Sequence, residues 1–262
     1  LTTKIYTLVN QKGGVGKTTT AVNLGAYLAR YGQRVLIVDL DPQANATSCL
    51  GVDKQTVRGG TYESLLGSGP ATGFILSNPD LLISILPSST ALAGAEVELV
   101  DEPGREFRLR TALEALDGLY DYILIDCPPS LGLLTVNGLL AARDGVLIPV
   151  QCEYLALEGL GQLMATLDRI RASLYPEMRI RGLVMTMFES RTHLAKDVVE
   201  EVRKHFPGQV FGAIVPRSIR LAEAPSYGLP VSVYAPASTG AQAYQALARE
   251  LLEGDGKAVL SD

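Results

Sequence analysis

The sequence holds 262 residues, 47% of them apolar and 19% charged, with a net charge of −5. That is ample apolar material for a core, and the length suits one α/β domain over residues 1–262. No run of 18 or more apolar residues exists, which excludes a membrane-spanning helix, and three cysteines without C-x-x-C spacing (Cys49, Cys127 and Cys152) read as small buried hydrophobes of a reduced, cytoplasmic protein.

Apolar runs alternate with helical patterns along the chain. Residues 5–9 form a first buried strand, followed at once by a glycine-rich loop. Residues 17–31 form a helix, with Ala21, Leu24 and Leu28 at helical spacing and Gly25 and Ala29 keeping the adjoining side small. Residues 35–38 form the next strand. Further strands are expected at 82–86, 122–125, 146–150, 182–187 and 210–215. Helices are expected at 107–116, 134–142, 157–174, 194–206 and 241–252, and surface loops at 67–73 and 87–94. Continuous apolar strands separated by helices predict an α/β fold, a mostly parallel central sheet flanked by helices on both faces. In such sheets ligands bind at the C-terminal ends of the strands.

Strand, glycine loop and helix are the context of a phosphate-binding loop. The strict pattern needs glycine at position 11, where this chain has Gln11. What stands instead is Lys12-Gly13-Gly14-Val15-Gly16-Lys17-Thr18-Thr19. The glycines let backbone N–H groups turn toward phosphate oxygens, and the helix start adds its positive dipole end. Lys17 is placed to neutralise the β- and γ-phosphates, Thr18 to ligate Mg2+, and Thr19 to donate to the α-phosphate. Asp126 ends the apolar run 122–125 and is suited to hold Mg2+ through water; Cys127-Pro128-Pro129 then forces an irregular loop. Asp39 and Asp41 follow the second strand, and side-chain alternation predicts that both face the nucleotide.

The second lysine, Lys12, resembles the signature of the deviant Walker A P-loop ATPases, which include ParA, MinD, the nitrogenase iron protein and the arsenical pump ATPase. The resemblance implies an ATPase with ATP and Mg2+, in which Lys12 reaches across a dimer interface to the partner's phosphates. The run Asp39-Leu40-Asp41-Pro42-Gln43-Ala44-Asn45 resembles the first switch of ParA proteins, which implies that Asp41 orients the attacking water beside the metal. The family usually has glycine where this chain has Ala44. Residues 149–159 and 215–228 resemble the matching runs of Soj-type chromosomal ParA proteins. That places Pro216 and Arg217 near adenine, with Ser218 where the family often has asparagine. A MinD-like membrane-surface ATPase is the alternative, but the run 253–262 is acidic and too short for a basic amphipathic tail, so no membrane contact is expected. The cysteines lack the surroundings of the iron protein's cluster ligands, and a single P-loop argues against the two-halved arsenical pump.

The charge is unevenly spread. Residues 165–220 hold ten Lys+Arg against six Asp+Glu, a net of +4, while the remainder holds 13 against 22. Arg191, Lys196, Arg203, Lys204 and Arg220 are the candidate phosphate contacts for duplex DNA bound without sequence preference. In the helix 194–206, Leu194, Val198, Val199 and Val202 are expected on an apolar face, and Lys196, Glu200 and Lys204 on an exposed one, with Glu200 able to pair with Lys204. The ParA resemblance implies a cytoplasmic, nucleoid-associated partitioning ATPase. Its ATP-dependent homodimer binds DNA, and a ParB-like centromere-binding partner stimulates hydrolysis.

Overall fold

The apolar runs become strands of one seven-stranded sheet in the computed structural model, which describes residues 2–259. In chain order the elements are β1 (Lys4–Leu8), α1 (Lys17–Arg30), β2 (Val35–Asp39), α2 (Asn45–Cys49), α3 (Thr61–Leu66), β3 (Leu76–Asn78), β4 (Ile83–Leu86), α4 (Leu92–Glu98) and α5 (Arg108–Glu114). They continue with β5 (Tyr122–Asp126), α6 (Leu133–Ala141), β6 (Gly145–Gln151), α7 (Ala156–Ser173), β7 (Ile180–Thr186), α8 (His193–His205), α9 (Ile219–Glu223), α10 (Val231–Tyr234) and α11 (Thr239–Gly254). The strand order is β3-β4-β2-β5-β1-β6-β7, and every pairing is parallel except β3 with β4.

Both faces of the sheet are covered, which is why its strands read as unbroken apolar runs. In β5, Ile123 and Ile125 enter one core with Leu109, Leu139 and Leu163, while Tyr122 and Leu124 enter the other with Leu24, Leu28 and Leu247. Burying each such aliphatic side chain contributes about 1.5–3 kcal/mol. The chain leaves β1 toward β2 on one side and reaches β6 on the other, so a crevice opens beyond the C-terminal end of β1. Leu8 and Asp39 are both in register with Asp126, so three neighbouring strands end level at that crevice.

Three expectations need correction. The run 87–94 is not a surface loop throughout, since Pro87 and Ser88 are buried and α4 starts at Leu92. Residues 210–215 run beside β7 but do not form a regular strand. Phe211 N donates to Leu183 O (3.0 Å) and Val215 N to Met185 O (2.9 Å), but between them Gly212 N and Ala213 N turn to the Glu250 carboxylate (2.7 and 3.1 Å). The ladder is therefore interrupted. In α8, Leu194 is exposed, and the buried face is Ala195, Val198, Val199 and Val202.

No helix among the described residues is long and apolar enough to cross a membrane. The acidic tail is partly structural. Asp255 accepts hydrogen bonds from Tyr6 Oη (2.7 Å) and Tyr122 Oη (2.9 Å) and pairs with Arg181 (3.3 Å), which pins the end of α11 to the sheet. Residues 260–262 of that tail lie outside the described residues.

Candidate nucleotide site

The loop between β1 and α1 turns on two glycines in the left-handed region, Gly14 (φ 75°) and Gly16 (φ 92°), where a side chain would be strained. Asn10 fixes the loop's start: its Nδ2 donates to Pro149 O (2.8 Å), and its Oδ1 accepts the Lys12 amide (3.0 Å). α1 begins at Lys17 without a side-chain cap, and its first ladder bond runs from Thr20 N to Gly16 O (2.9 Å). Its opening amides are thus left for a ligand, as at any uncapped helix start. Lys17 is only 7% exposed, and its Nζ donates to Lys12 O (3.2 Å). Burial lowers its pKa, an effect opposed by the nearby Asp126, Cys127 and Asp41.

The strand-end carboxylates have different jobs. Asp126 is fully buried; its Oδ2 accepts the Thr18 hydroxyl (2.6 Å), and its Oδ1 has no hydrogen-bond partner among the described residues. Burial, reinforced by Asp39, pushes its pKa well up. An orphaned buried carboxylate oxygen beside a hydroxyl is a hard-oxygen donor set suited to Mg2+, which takes few protein ligands and keeps water and phosphate oxygens as the rest. Asp39 does not face the nucleotide as side-chain alternation suggested. Its Oδ2 accepts Thr47 N (2.8 Å) and Thr47 Oγ1 (2.7 Å), and its Oδ1 accepts Asp41 N (3.2 Å). Burial pushes its pKa up to about 6. β2 ends at Asp39, so the alternation of a strand stops there, and the carboxylate instead clamps α2 to the sheet. Asp41 lines the loop's cavity, with Oδ1 accepting Gln43 N (2.9 Å) and its carbonyl accepting the Ser88 hydroxyl (2.8 Å). Ala44, which precedes α2, is left-handed (φ 54°), a geometry that suits glycine better.

Two cavities adjoin at Gly16, Thr19 and Met187. One of about 220 Å³ is lined by Gly13, Gly14, Lys17, Thr18, Asp41, Asn45 and Pro129. The other, about 360 Å³, is lined by Thr186, Val215, Pro216, Arg217, Ile219, Leu221 and Tyr244. The first has the polar lining and open amides a triphosphate needs, and the second has apolar walls suited to a flat base. Sequence reasoning supplied the glycines, Lys17, Thr18, Thr19, Asp41, Asp126, Pro216 and Arg217. It gave no role to Asn45 and Leu221, although both lie in the runs 39–45 and 215–228, and it missed Thr186, Met187 and Tyr244, which come from segments without a motif; the one local sign of strain among these three is Met187, left-handed at φ 52°.

Lys12 points elsewhere. Its ammonium pairs with Glu153, beyond the end of β6, beside the exposed Tyr154 and Leu155. The basic candidates of the second half are exposed. Arg191, Lys196 and Arg203 make no ion pair among the described residues, whereas Lys204 pairs with Glu201 (3.6 Å) rather than Glu200, Arg217 lies 4.0 Å from Glu189, and Arg220 pairs with Glu223 (2.8 Å). Arg203 and Lys204 also sit in the last turn of α8, where the helix dipole favours cations. The cysteines are inert by environment. Burial pushes the Cys127 and Cys49 thiols up to about 12 and Cys152 to about 11, although Cys49 is only partly buried.

Parallel topology, a glycine loop entering a helix at the switch point, and a second lysine ahead of that loop together define a P-loop ATPase of the deviant Walker A class. A family model described as an AAA domain matches residues 3–180. The chain is 52% identical to the chromosome partitioning protein ParA of Myxococcus xanthus, over 96% of this chain and 89% of that protein. It is 51% identical to the sporulation initiation inhibitor protein Soj of Bacillus subtilis, over 95% and 98% respectively. Among solved structures, a Mycobacterium smegmatis protein described as cobyrinic acid a,c-diamide synthase, with bound ATP analogue and magnesium, superposes with a TM-score of 0.86 at 39% identity, covering 96% of this chain and 94% of that one. The chain belongs to the ParA/Soj family of partitioning ATPases.

Proposed function

We propose that this ATPase moves DNA by cycling between a free monomer and an ATP-bound sandwich dimer that grips duplex DNA without reading its sequence. In this reading the amides of Gly13, Gly14, Val15 and Gly16 cradle the phosphates, and Lys17 leaves the Lys12 carbonyl to meet the β- and γ-phosphates. Thr18 and Asp126 would hold Mg2+, and Asp41, which lines the same cavity as Thr18, would lie near it. Mg2+ supplies charge neutralisation of the triphosphate. Thr19 donates to the α-phosphate. Pro216 and Arg217 flank the base. Asp41 orients the attacking water, its carboxylate already fixed by the Gln43 amide.

The observation that carries the dimer is the direction of Lys12. It borders the phosphate loop, yet its ammonium is turned to Glu153 at the surface, next to two exposed apolar side chains. A cation so placed suits a second subunit's phosphates, where a charge supplied in trans stabilises the transferring phosphoryl group. Joining two subunits doubles the basic surface of Arg191, Lys196, Arg203, Lys204 and Arg220, and counterion release then favours DNA on the dimer over the monomer. A ParB-like partner accelerates hydrolysis and so releases the DNA; the protein resides on the nucleoid while ATP is bound. The test is co-sedimentation of purified protein with an arbitrary plasmid, with ATP, with ADP and without nucleotide. Binding in ATP alone is expected. Binding to anionic liposomes but not to plasmid would favour the membrane-surface alternative.

A further inference from the structure

The geometry points to Thr186 as a positioning residue for the nucleotide's phosphates: its hydroxyl holds the crest of the glycine loop open. Thr186 is the last residue of β7, 171 positions along the chain from Val15, and 2% exposed. Its Oγ1 donates to the Val15 carbonyl (2.8 Å), itself in a buried residue. Two consequences follow from peptide geometry. Carbonyl and N–H point oppositely across a planar trans peptide, so fixing the Val15 carbonyl fixes the direction of the Gly16 amide. The Val15 carbonyl is also the acceptor that the Thr19 amide would use if the helical ladder started one residue earlier. With that carbonyl engaged by Thr186 and Gly16 left-handed at φ 92°, the ladder starts at Thr20 N to Gly16 O, and the Thr19 amide stays open toward the cavity. The methyl of Thr186 has a separate role. A Cβ placed on Gly16 would lie 3.7 Å from Thr186 Cγ2, so the methyl packs against the loop and helps wall the base cavity. One side chain thus joins two functions that substitution can separate, the hydroxyl for the phosphates and the methyl for the base.

The inference rests on placing phosphates at residues 13–19. The test measures displacement of a fluorescent ADP by ADP with Mg2+ and by adenosine, in Thr186→Val, Thr186→Ser and Thr186→Ala. Thr186→Val keeps the shape and removes the hydroxyl, so ADP should bind roughly tenfold more weakly, the net worth of one buried hydrogen bond. Adenosine, which reaches only the base cavity, should be unchanged in that variant. Thr186→Ser keeps the hydroxyl and loses the methyl, so ADP and adenosine should weaken together by the same small factor. Unchanged ADP affinity in Thr186→Val overturns the inference, as does a parallel loss of adenosine, which would mean that the residue only shapes the base cavity. If Thr186→Val fails to fold, the comparison moves to Ser against Ala, which both lack the methyl; equal ADP affinities there overturn it. Lys17→Ala separates the two levels. If it keeps ADP affinity, the loop is not the phosphate site and the underlying reading falls; if it loses affinity while Thr186→Val does not, only the role of Thr186 falls.

Discussion

Lys17 and Lys196 are both helical lysines, yet one is 7% exposed beneath the phosphate loop and the other stands in solvent on α8. The buried cation is constrained by its surroundings. It lies near Asp126 and Asp41, donates to the Lys12 carbonyl, and has lost so much hydration that its pKa falls. Such a group has one job, and no neighbour can take it over. The α8 cations are hydrated and screened within about 8–10 Å. In the proposed DNA contact they would act through their sum, with none individually essential. The nucleotide site should therefore fail sharply on single substitutions, and the DNA face gradually and with a strong dependence on salt.

The sharpest failure is expected for Lys17→Ala. In the proposed site it removes charge-assisted hydrogen bonds to two phosphates, and ATP affinity should fall by about a thousandfold. Calorimetry checks this, and affinity within tenfold of the parent would move the phosphates away from the loop. Lys12→Ala tests whether the neighbouring exposed lysine behaves like a buried or a surface charge. Its amide and carbonyl contacts belong to the backbone and survive the substitution, so ATP binding should persist. Loss of a charge acting in trans should slow hydrolysis by about a hundredfold or more and abolish the ATP dimer. Light scattering with a slowly hydrolysed analogue decides, since a normal dimer would place Lys12 with the surface charges.

Asp41 lies between these extremes. Asp41→Ala should slow hydrolysis by about a hundredfold, in the range of a lost general base or water-orienting group, while ATP stays bound and the dimer accumulates. It also removes the Gln43 cap, a loss of roughly 1 kcal/mol of stability. Asp41→Asn retains an acceptor for Gln43, so it should lose hydrolysis without that stability. Equal hydrolysis in Asn, Ala and parent proteins would reduce Asp41 to a turn residue.

The same contrast explains what the sequence made legible. The central strands could be read because burial on both faces leaves unbroken runs of Val, Ile and Leu; β3, three residues on an edge beside β4, has no such signal. The loop could be read because its glycines and lysine are contiguous. The partners that brace it are not contiguous: Asn10 reaches to Pro149, Thr186 to Val15 and Ser88 to Asp41, and only the fold brings them together. Asp39 was misread because the strand ends there, and a rule for strands was carried two residues too far. Residues 210–215 look like a strand in composition, but Glu250 of α11 takes two of their amides, and a sequence window does not contain Glu250. The surface charges were visible as composition, but which of them already had partners was not.

That last point yields the smallest predicted effect and the most discriminating one for the DNA face. Arg191 and Arg220 were equivalent candidates by sequence, and the structure separates them. Arg191 makes no ion pair among the described residues, while Arg220 Nη1 donates to Glu223 Oε2 at 2.8 Å, and Tyr234 Oη donates to the same oxygen at 3.0 Å. To meet a DNA phosphate, Arg220 must share or leave Glu223, and that carboxylate stays behind as a repulsive charge. Arg191 gives up only hydration. Each contact appears twice in a dimer, so Arg191→Ala should flatten the log–log salt dependence of DNA binding by about 2 units, at roughly 0.9 per neutralised phosphate. Arg220→Ala should flatten it by less, and Glu223→Gln should steepen the parent's slope, because it frees Arg220 and removes the competing anion. The measurement is a salt titration of ATP-dependent binding to two unrelated duplexes. Equal slopes for Arg191→Ala and the parent would place the DNA elsewhere. A larger effect at Arg220 than at Arg191 would mean that ion pairing does not rank these cations. A change seen on only one duplex would mean that bases are being read, since phosphate contacts carry no sequence information.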